Sequence, residues 1–269
     1  MVPDTCLGDI AAAYDVLLCD VFLTLHDADG AFPDAVEALR RFRAGGRTVV
    51  LVSNSALPGP ALVATLGRVG IGPDAYDCVV TSADLARELL ARSAVRAILH
   101  LGPVGDRALL AGLAVELTEA VEAADVILCT GWPTGPAGGE PPALSQVLEA
   151  AAARGLELIC TNPDRSVEVV GRVLRFAGLV AERYAALGGR VLATGKPDPS
   201  IYRVALAAAA DRSIGRPAAE ALVVGDGLAL DVAGAFASGL DALWITETGS
   251  AAPAMPPTAR LYRATALRW

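Results

Sequence analysis

Short runs of three to five mostly apolar residues alternate along the chain with longer segments in which apolar positions recur every three to four residues. The runs at 16–19, 48–52, 78–80, 97–99, 126–129, 156–160, 191–193, 221–224 and 242–245 read as strands. Their near-continuous apolar character suits strands covered on both faces, as in a parallel sheet. Between the first two, 33–43 places Val36, Leu39 and Phe42 on one helical face. That helix starts at Pro33 and stops at Gly45-Gly46. The Ala-rich segments 201–210 and 233–237 read as further helices. This alternation predicts an α/β fold of βα units on a parallel sheet. Segment 131–142 (GWPTGPAGGEPP) reads as a loop, and no Lys-Ser or Lys-Thr follows its glycines to make it a phosphate loop. Three prolines in 251–257 are expected to end the last regular unit.

Composition narrows the field. With 54% hydrophobic and 19% charged residues in 269, the chain can bury a sizeable core and is not disordered. A formal charge of −8 without a block of Lys or Arg argues against a nucleic-acid partner. No apolar stretch approaches the roughly 18 residues of a membrane helix, so no membrane partner is expected. Residues 1–9 carry two acids and no base, unlike a signal peptide. The five cysteines, Cys6, Cys19, Cys78, Cys129 and Cys160, are scattered without a C-x-x-C and read as buried thiols of a reducing compartment. The expectation is a cytoplasmic protein.

Ligands of open α/β sheets bind beyond the carboxyl ends of the strands. Asp20 follows the first strand, and Ser53-Asn54 follow the second. Gly195-Lys196-Pro197-Asp198 come after 191–193, and Gly225-Asp226-Gly227 after 221–224, with Asp231 five residues beyond Asp226. Carboxylates gathered in one crevice repel unless a divalent cation joins them, and an oxygen-only set suits Mg2+. A hydroxyl from Ser53 and an ammonium from Lys196 would hold a phosphate, leaving Asp20 as a nucleophile. Lys196 is the only lysine; the other 21 basic residues are arginines. A chain that uses Arg wherever either would serve has kept a compact ammonium at this one position.

These segments resemble the four motifs of the haloacid dehalogenase (HAD) superfamily, in order: Asp20-Val21-Phe22-Leu23-Thr24-Leu25, Ser53-Asn54, Gly195-Lys196-Pro197 and Gly225-Asp226 with Asp231. The run Cys160-Thr161-Asn162-Pro163-Asp164 is similar to one found in class IIA, the p-nitrophenylphosphatase-type branch with a large α/β cap. The resemblance implies a Rossmannoid parallel-sheet core at 1–83 and 185–269 with an inserted α/β cap at 84–184. It implies a Mg2+-dependent phosphatase working through an aspartyl-phosphate on a small phosphorylated substrate. Asp20 and Lys196 would be catalytic. Ser53, Asn54, Lys196, Asn162 and Asp164 would bind phosphate or substrate. Asp20, the main-chain oxygen of Phe22 and Asp226 would hold the metal, with Asp231 acting through water. A cap-mediated homodimer is a further expectation.

The sequence departs from that family at one place. Its phosphatases carry a second aspartate two residues after the nucleophile, to protonate the leaving alcohol and activate water. Here Phe22 stands there, and Leu23 replaces the following glycine. Three readings stay open: a slow phosphatase, a catalytically impaired phosphate-ester-binding or regulatory protein, and a dehalogenase-type hydrolase. The last has an aromatic residue at this position but needs no metal.

Overall fold

Every residue of the run at 16–19 is buried, as a strand inside a covered sheet requires. The computed structural model describes residues 4–134, 140–169, 172–212, 220–247, 256 and 259–269. A short helix, α1 (Leu7–Ile10), leads into β1 (Val16–Cys19). Next come α2 (Pro33–Ala44), β2 (Thr48–Ser53), α3 (Gly59–Arg68) and β3 (Cys78–Thr81). A second set follows: α4 (Ser82–Arg92), β4 (Ala97–Leu101), β5 (Glu116–Thr118), β6 (Val126–Cys129), α5 (Leu144–Ala153) and β7 (Glu157–Cys160). It continues through β8 (Ser166–Val169), β9 (Arg172–Arg175), α6 (Ala177–Ala186) and β10 (Arg190–Ala193). The chain ends with α7 (Pro199–Ala210), β11 (Ala221–Gly225), α8 (Ala233–Ala237), β12 (Asp241–Ile245) and β13 (Leu261–Ala264).

Two compact units result. The first comprises Met1–Ser53, Gly59–Val80 and Lys196–Trp269, the second Asn54–Pro58 and Thr81–Gly195. The first is built on a six-stranded sheet in the order β13-β12-β11-β1-β2-β3. Its interior strand β1 runs parallel to β11, Val16 against Ala221, and to β2, Val16 against Thr48. That register brings the carboxyl ends of three buried strands level. Helix α2 buries Ala35, Val36, Ala38, Leu39 and Phe42, and each such Leu or Phe contributes about 1.5–3 kcal/mol. Gly45 caps it, and Gly46 carries the chain on at φ +75°.

The second unit is an α/β body of its own, with a parallel sheet in the order β10-β7-β6-β4-β5 and the antiparallel pair β8-β9. Ile127 and Leu158 are fully buried, and Tyr184 is buried with its hydroxyl donating to the Leu156 carbonyl at 2.7 Å. Thr81 and Asp84 form a capping box that starts α4.

The strands expected at 16–19 and 126–129 have those bounds, and the other seven shift by no more than two residues at an end. Three differences are instructive. The sequence reading puts the run at 191–193 in the first unit, but β10 pairs in parallel with β7, Arg190 against Glu157, so the chain re-enters the first unit at 195/196 and not 184/185. Regular structure does not end at 251–257, because β13 adds to β12 in parallel. The sequence reading does not include the β8-β9 pair and β5: all three strands are short, and β5 leaves Glu116 and Leu117 exposed. Part of the expected loop, 135–139, lies outside the described residues. Cys19, Cys129 and Cys160 are buried, whereas Cys6 and Cys78 are partly exposed. Among the described residues no helix is long and apolar enough to cross a membrane.

Candidate functional site

The first unit gathers its chemistry where β1 and β11 end. Asp20 leaves β1 with its amide donating to the Val224 carbonyl at 2.8 Å, so its position is set by the sheet ladder. Asp226 follows β11. The chain then makes a π-turn, Leu228–Val232, in which Val232 N reaches back to Gly227 O at 3.2 Å. This turn returns Asp231 onto the strand end, where its Oδ2 accepts from Gly227 N at 3.1 Å. A side chain at Gly225 is impossible here, since a Cβ would fall 2.2 Å from Asp231 Cγ. Tyr202 of α7 supports the turn, its hydroxyl donating to the carbonyls of Leu230 and Asp231 at 3.3 Å.

Lys196 enters just before α7, whose first turn Asp198 caps by accepting from Ser200 N. Lys196 is 3% exposed, and its ammonium donates to Asp20 Oδ1 and, at 2.7 Å, to Asp231 Oδ1. Thr24 Oγ1 donates to Asp20 Oδ2 at 3.2 Å, so both oxygens of Asp20 are held. One carboxylate oxygen each from Asp20, Asp226 and Asp231 lies within 4.8 Å of the others. Two buried carboxylates, Asp20 and Asp231, thus share one buried ammonium, and the partly exposed carboxylate of Asp226 lies close by. Burial alone would lower the Lys196 pKa, but Asp20 and Asp231 outweigh it and hold the amine well above its ordinary range. Burial pushes the Asp231 carboxyl up to about 7; Lys196 opposes this, and the charge of Asp20 adds to it.

Removal of the cation should therefore unfold much of this balance. Lys196→Met is expected to cost about 3–5 kcal/mol at pH 8, the range for breaking a buried ion pair. Lys196→Arg should not restore the loss, because a planar guanidinium does not fit where an ammonium bridges two carboxylates. The pH dependence has a definite sign. Asp231 in the folded protein binds a proton up to about pH 7, whereas its ordinary value is 3.8. Stability from that proton is fully present below pH 3.8 and is lost as pH rises through 7. The Lys196→Met penalty should thus be smaller at pH 5.5 than at pH 8 in metal-free urea titrations.

The remaining expected residues are placed as follows. Ser53 is buried at the end of β2, in the same unit. Phe22 and His26 form a backbone bridge, with Leu23 N donating to His26 O at 2.8 Å. Their rings meet edge-on at 5.6 Å. His26 Nδ1 lies 2.9 Å from its neighbour's carbonyl, that of Asp27. In the second unit Asn54 Nδ2 donates to Asp164 Oδ1 at 2.8 Å, and Asp164 N donates to Asn162 Oδ1 at 3.2 Å. Thr24 and Tyr202 were not singled out from sequence. Thr24 had a signal, standing four residues after Asp20 in the first motif; Tyr202 reads only as part of an amphipathic helix.

Comparison with known proteins identifies the family. Residues 17–116 and 140–239 each match a family model described as haloacid dehalogenase-like hydrolase. A haloacid dehalogenase-like family hydrolase from Brucella suis 1330 is 37% identical over 99% of this chain and 100% of its own, with a TM-score of 0.86. A glycerol phosphate phosphatase from Mycobacterium tuberculosis, solved in complex with magnesium, is 26% identical over 87% of this chain and 69% of its own, at a TM-score of 0.67. A possible sugar phosphatase from Cytophaga hutchinsonii shares the fold, at 18% identity over 91% of this chain and 88% of its own and a TM-score of 0.76. Among curated proteins nothing matches. The chain belongs to the haloacid dehalogenase-like family of hydrolases.

Proposed function

We propose that the chain is a Mg2+-dependent phosphomonoester phosphatase that works through a phosphorylated Asp20, and that it is slow because Phe22 stands where an acid is needed. The observation that carries this reading is the buried set of Asp20, Lys196 and Asp231, with Asp226 within 4.8 Å. An all-oxygen set with excess negative charge fits a hard divalent cation. Asp20, Asp226 and the main-chain oxygen of Phe22 would hold it, and Asp231 would act through water. When bound, such an ion neutralises carboxylate charge and polarises a phosphoryl oxygen.

The chain's own residues do the rest. Thr24 and Lys196 fix the two oxygens of Asp20, so that one can attack phosphorus in line with the departing ester oxygen. A bond forms between an Asp20 oxygen and phosphorus, the ester P–O bond breaks, and the alkoxide takes a proton from solvent. Lys196 and Ser53 would stabilise the phosphoryl oxygens during transfer. Water then attacks the acyl phosphate, returning the Asp20 carboxylate and releasing inorganic phosphate. Phe22 can donate no proton in the first step and accept none in the second, which removes about 10²–10⁴-fold. Aryl phosphates, whose leaving groups need no acid, should be turned over best.

Rapid-quench kinetics with p-nitrophenyl phosphate and Mg2+ tests this. The expected result is a burst of nitrophenolate near one equivalent per chain, with the phosphate label on Asp20, followed by a slow steady state. Turnover without a labelled Asp20 would count against the covalent route. Phosphate-ester binding with no release at all would favour the catalytically impaired reading that Phe22 also permits.

A further inference from the structure

The second unit contains a cavity of about 530 Å3 that the chemistry above does not use. Its size is within the range of about 300–1,000 Å3 typical of small-molecule sites. Two residues of its lining, Asp106 and Thr130, belong to a polar group that begins outside the lining at Arg107 and His100. Arg107 Nε donates to His100 Nδ1 at 3.5 Å, which leaves Nε2 as the protonated nitrogen, 2.9 Å from Thr130 Oγ1. Burial pushes the Asp106 carboxyl up, and the neighbouring Thr130 hydroxyl opposes this. Burial, and then the charge of Arg107, push His100 down to about 4, so this group contains a neutral imidazole near pH 7. Gly102 leaves room for it: at φ +143° a Cβ would fall 2.2 Å from Thr130 Oγ1.

A second part of the lining is a clamped aromatic ring. The guanidinium carbons of Arg175 and Arg183 lie 5.3 and 5.0 Å from the Trp132 ring centroid, and Arg183 is held by Glu140 at 2.7 Å. Asn162, also in the lining, accepts from Asp164 through its oxygen and keeps an amide N–H to offer. The cavity therefore presents a carboxylate acceptor, amide and guanidinium donors, and a fixed apolar wall to which Leu57 adds. A neutral molecule bearing hydroxyl groups on a carbon skeleton satisfies all three. A polycarboxylate would set its own charge against Asp106.

We propose that this cavity binds a small neutral polyhydroxylated ligand, sugar- or polyol-like, and that Asp106 determines that specificity by accepting a hydrogen bond from a ligand hydroxyl. Two sources have this chemistry: the alcohol portion of a phosphate-ester substrate, which rests on the phosphatase reading, and a free polyol, which does not. Calorimetric titration of the full chain with methyl glucoside, and with citrate as a charged comparator, tests binding without any need for turnover. Saturable binding of the glucoside and none of citrate is expected. Asp106→Asn should weaken it at least tenfold, as for a lost charge-assisted hydrogen bond. Leu57→Trp, which fills the cavity from its apolar side, should abolish it. No saturable heat in the unmodified protein, or dissociation constants within twofold in both variants, would overturn the proposal. The source is read from p-nitrophenyl phosphate hydrolysis in the presence of the glucoside. A rise in KM alone identifies the seat of the substrate's alcohol. Binding that leaves KM unchanged identifies a separate ligand. Absence of turnover would sink the phosphatase reading and leave the calorimetric result standing.

Discussion

Asp20→Asn should lower aryl-phosphate hydrolysis by at least about 10⁴-fold, the scale on which removal of a nucleophile is felt, while the protein stays folded. The structure gives a reason to expect both halves of that result. The amide oxygen can still accept from Lys196, and the amide NH2 can donate to the Thr24 hydroxyl where the carboxylate accepted from it, so the geometry persists. The charge balance improves, because Asp20, Asp226 and Asp231 outnumber Lys196 three to one. The unfolding midpoint in metal-free buffer should thus be unchanged or higher. Stabilisation by Mg2+ should shrink in parallel. A ligand at a hundred times its dissociation constant adds about 2.7 kcal/mol to a competent site, and this variant has lost a ligating charge. Full activity in the variant would remove Asp20 from the chemistry. Loss of activity together with loss of the fold would show that the carboxylate is needed for structure, contrary to the balance described here.

The parts of this site that could be read along the chain share one physical property: each is a polar residue placed directly after a buried apolar run. Asp20 after β1, Ser53 at the end of β2 and Asp226 after β11 stand out because the preceding apolar residues mark the strand. Lys196 was legible for another reason, its chemical uniqueness among arginines. What was hidden depends on pairing between distant strands. Nothing in the residues of β10 says that they pair with β7 and not with the first sheet; the run is short and only half-buried, so its apolar pattern does not choose. The network at Asp106 was equally hidden. His100, Asp106 and Thr130 lie on separate stretches, and only the parallel register of β4 on β6, which sets His100 against Leu128, brings His100 within reach of Thr130. The π-turn that returns Asp231 to the strand end likewise has no periodicity to announce it.

The opposite effect is expected from Phe22→Asp, a gain of about 10²–10⁴-fold in the turnover of alkyl phosphates, the contribution of a positioned general acid–base. Whether the loop could place a carboxylate at this position depends on its backbone, and the backbone is already in place. Leu23 adopts φ +63°, the left-handed conformation that favours glycine. A leucine there is strained by roughly 1–2 kcal/mol. The strain is held by Leu23 N on His26 O at 2.8 Å and Leu25 N on Val21 O at 2.9 Å. The turn that carries position 22 is thus already held in its left-handed form, and Leu23→Gly should not be needed for the gain. The new carboxylate forgoes the edge contact with His26, worth about 0.5–1.5 kcal/mol for an aromatic pair, and adds a fourth negative charge. Metal-free stability should therefore fall, and the Mg2+ dependence of folding should steepen. Kinetically, the burst with p-nitrophenyl phosphate should disappear, because water is now activated and breakdown of the acyl phosphate no longer limits. Alkyl esters should gain more than aryl esters, since only they need a proton on the departing oxygen. Equal rates in the variant and the unmodified protein for both ester classes, with the variant folded and stabilised by Mg2+, would mean that another group already moves these protons and that Phe22 does not set the rate.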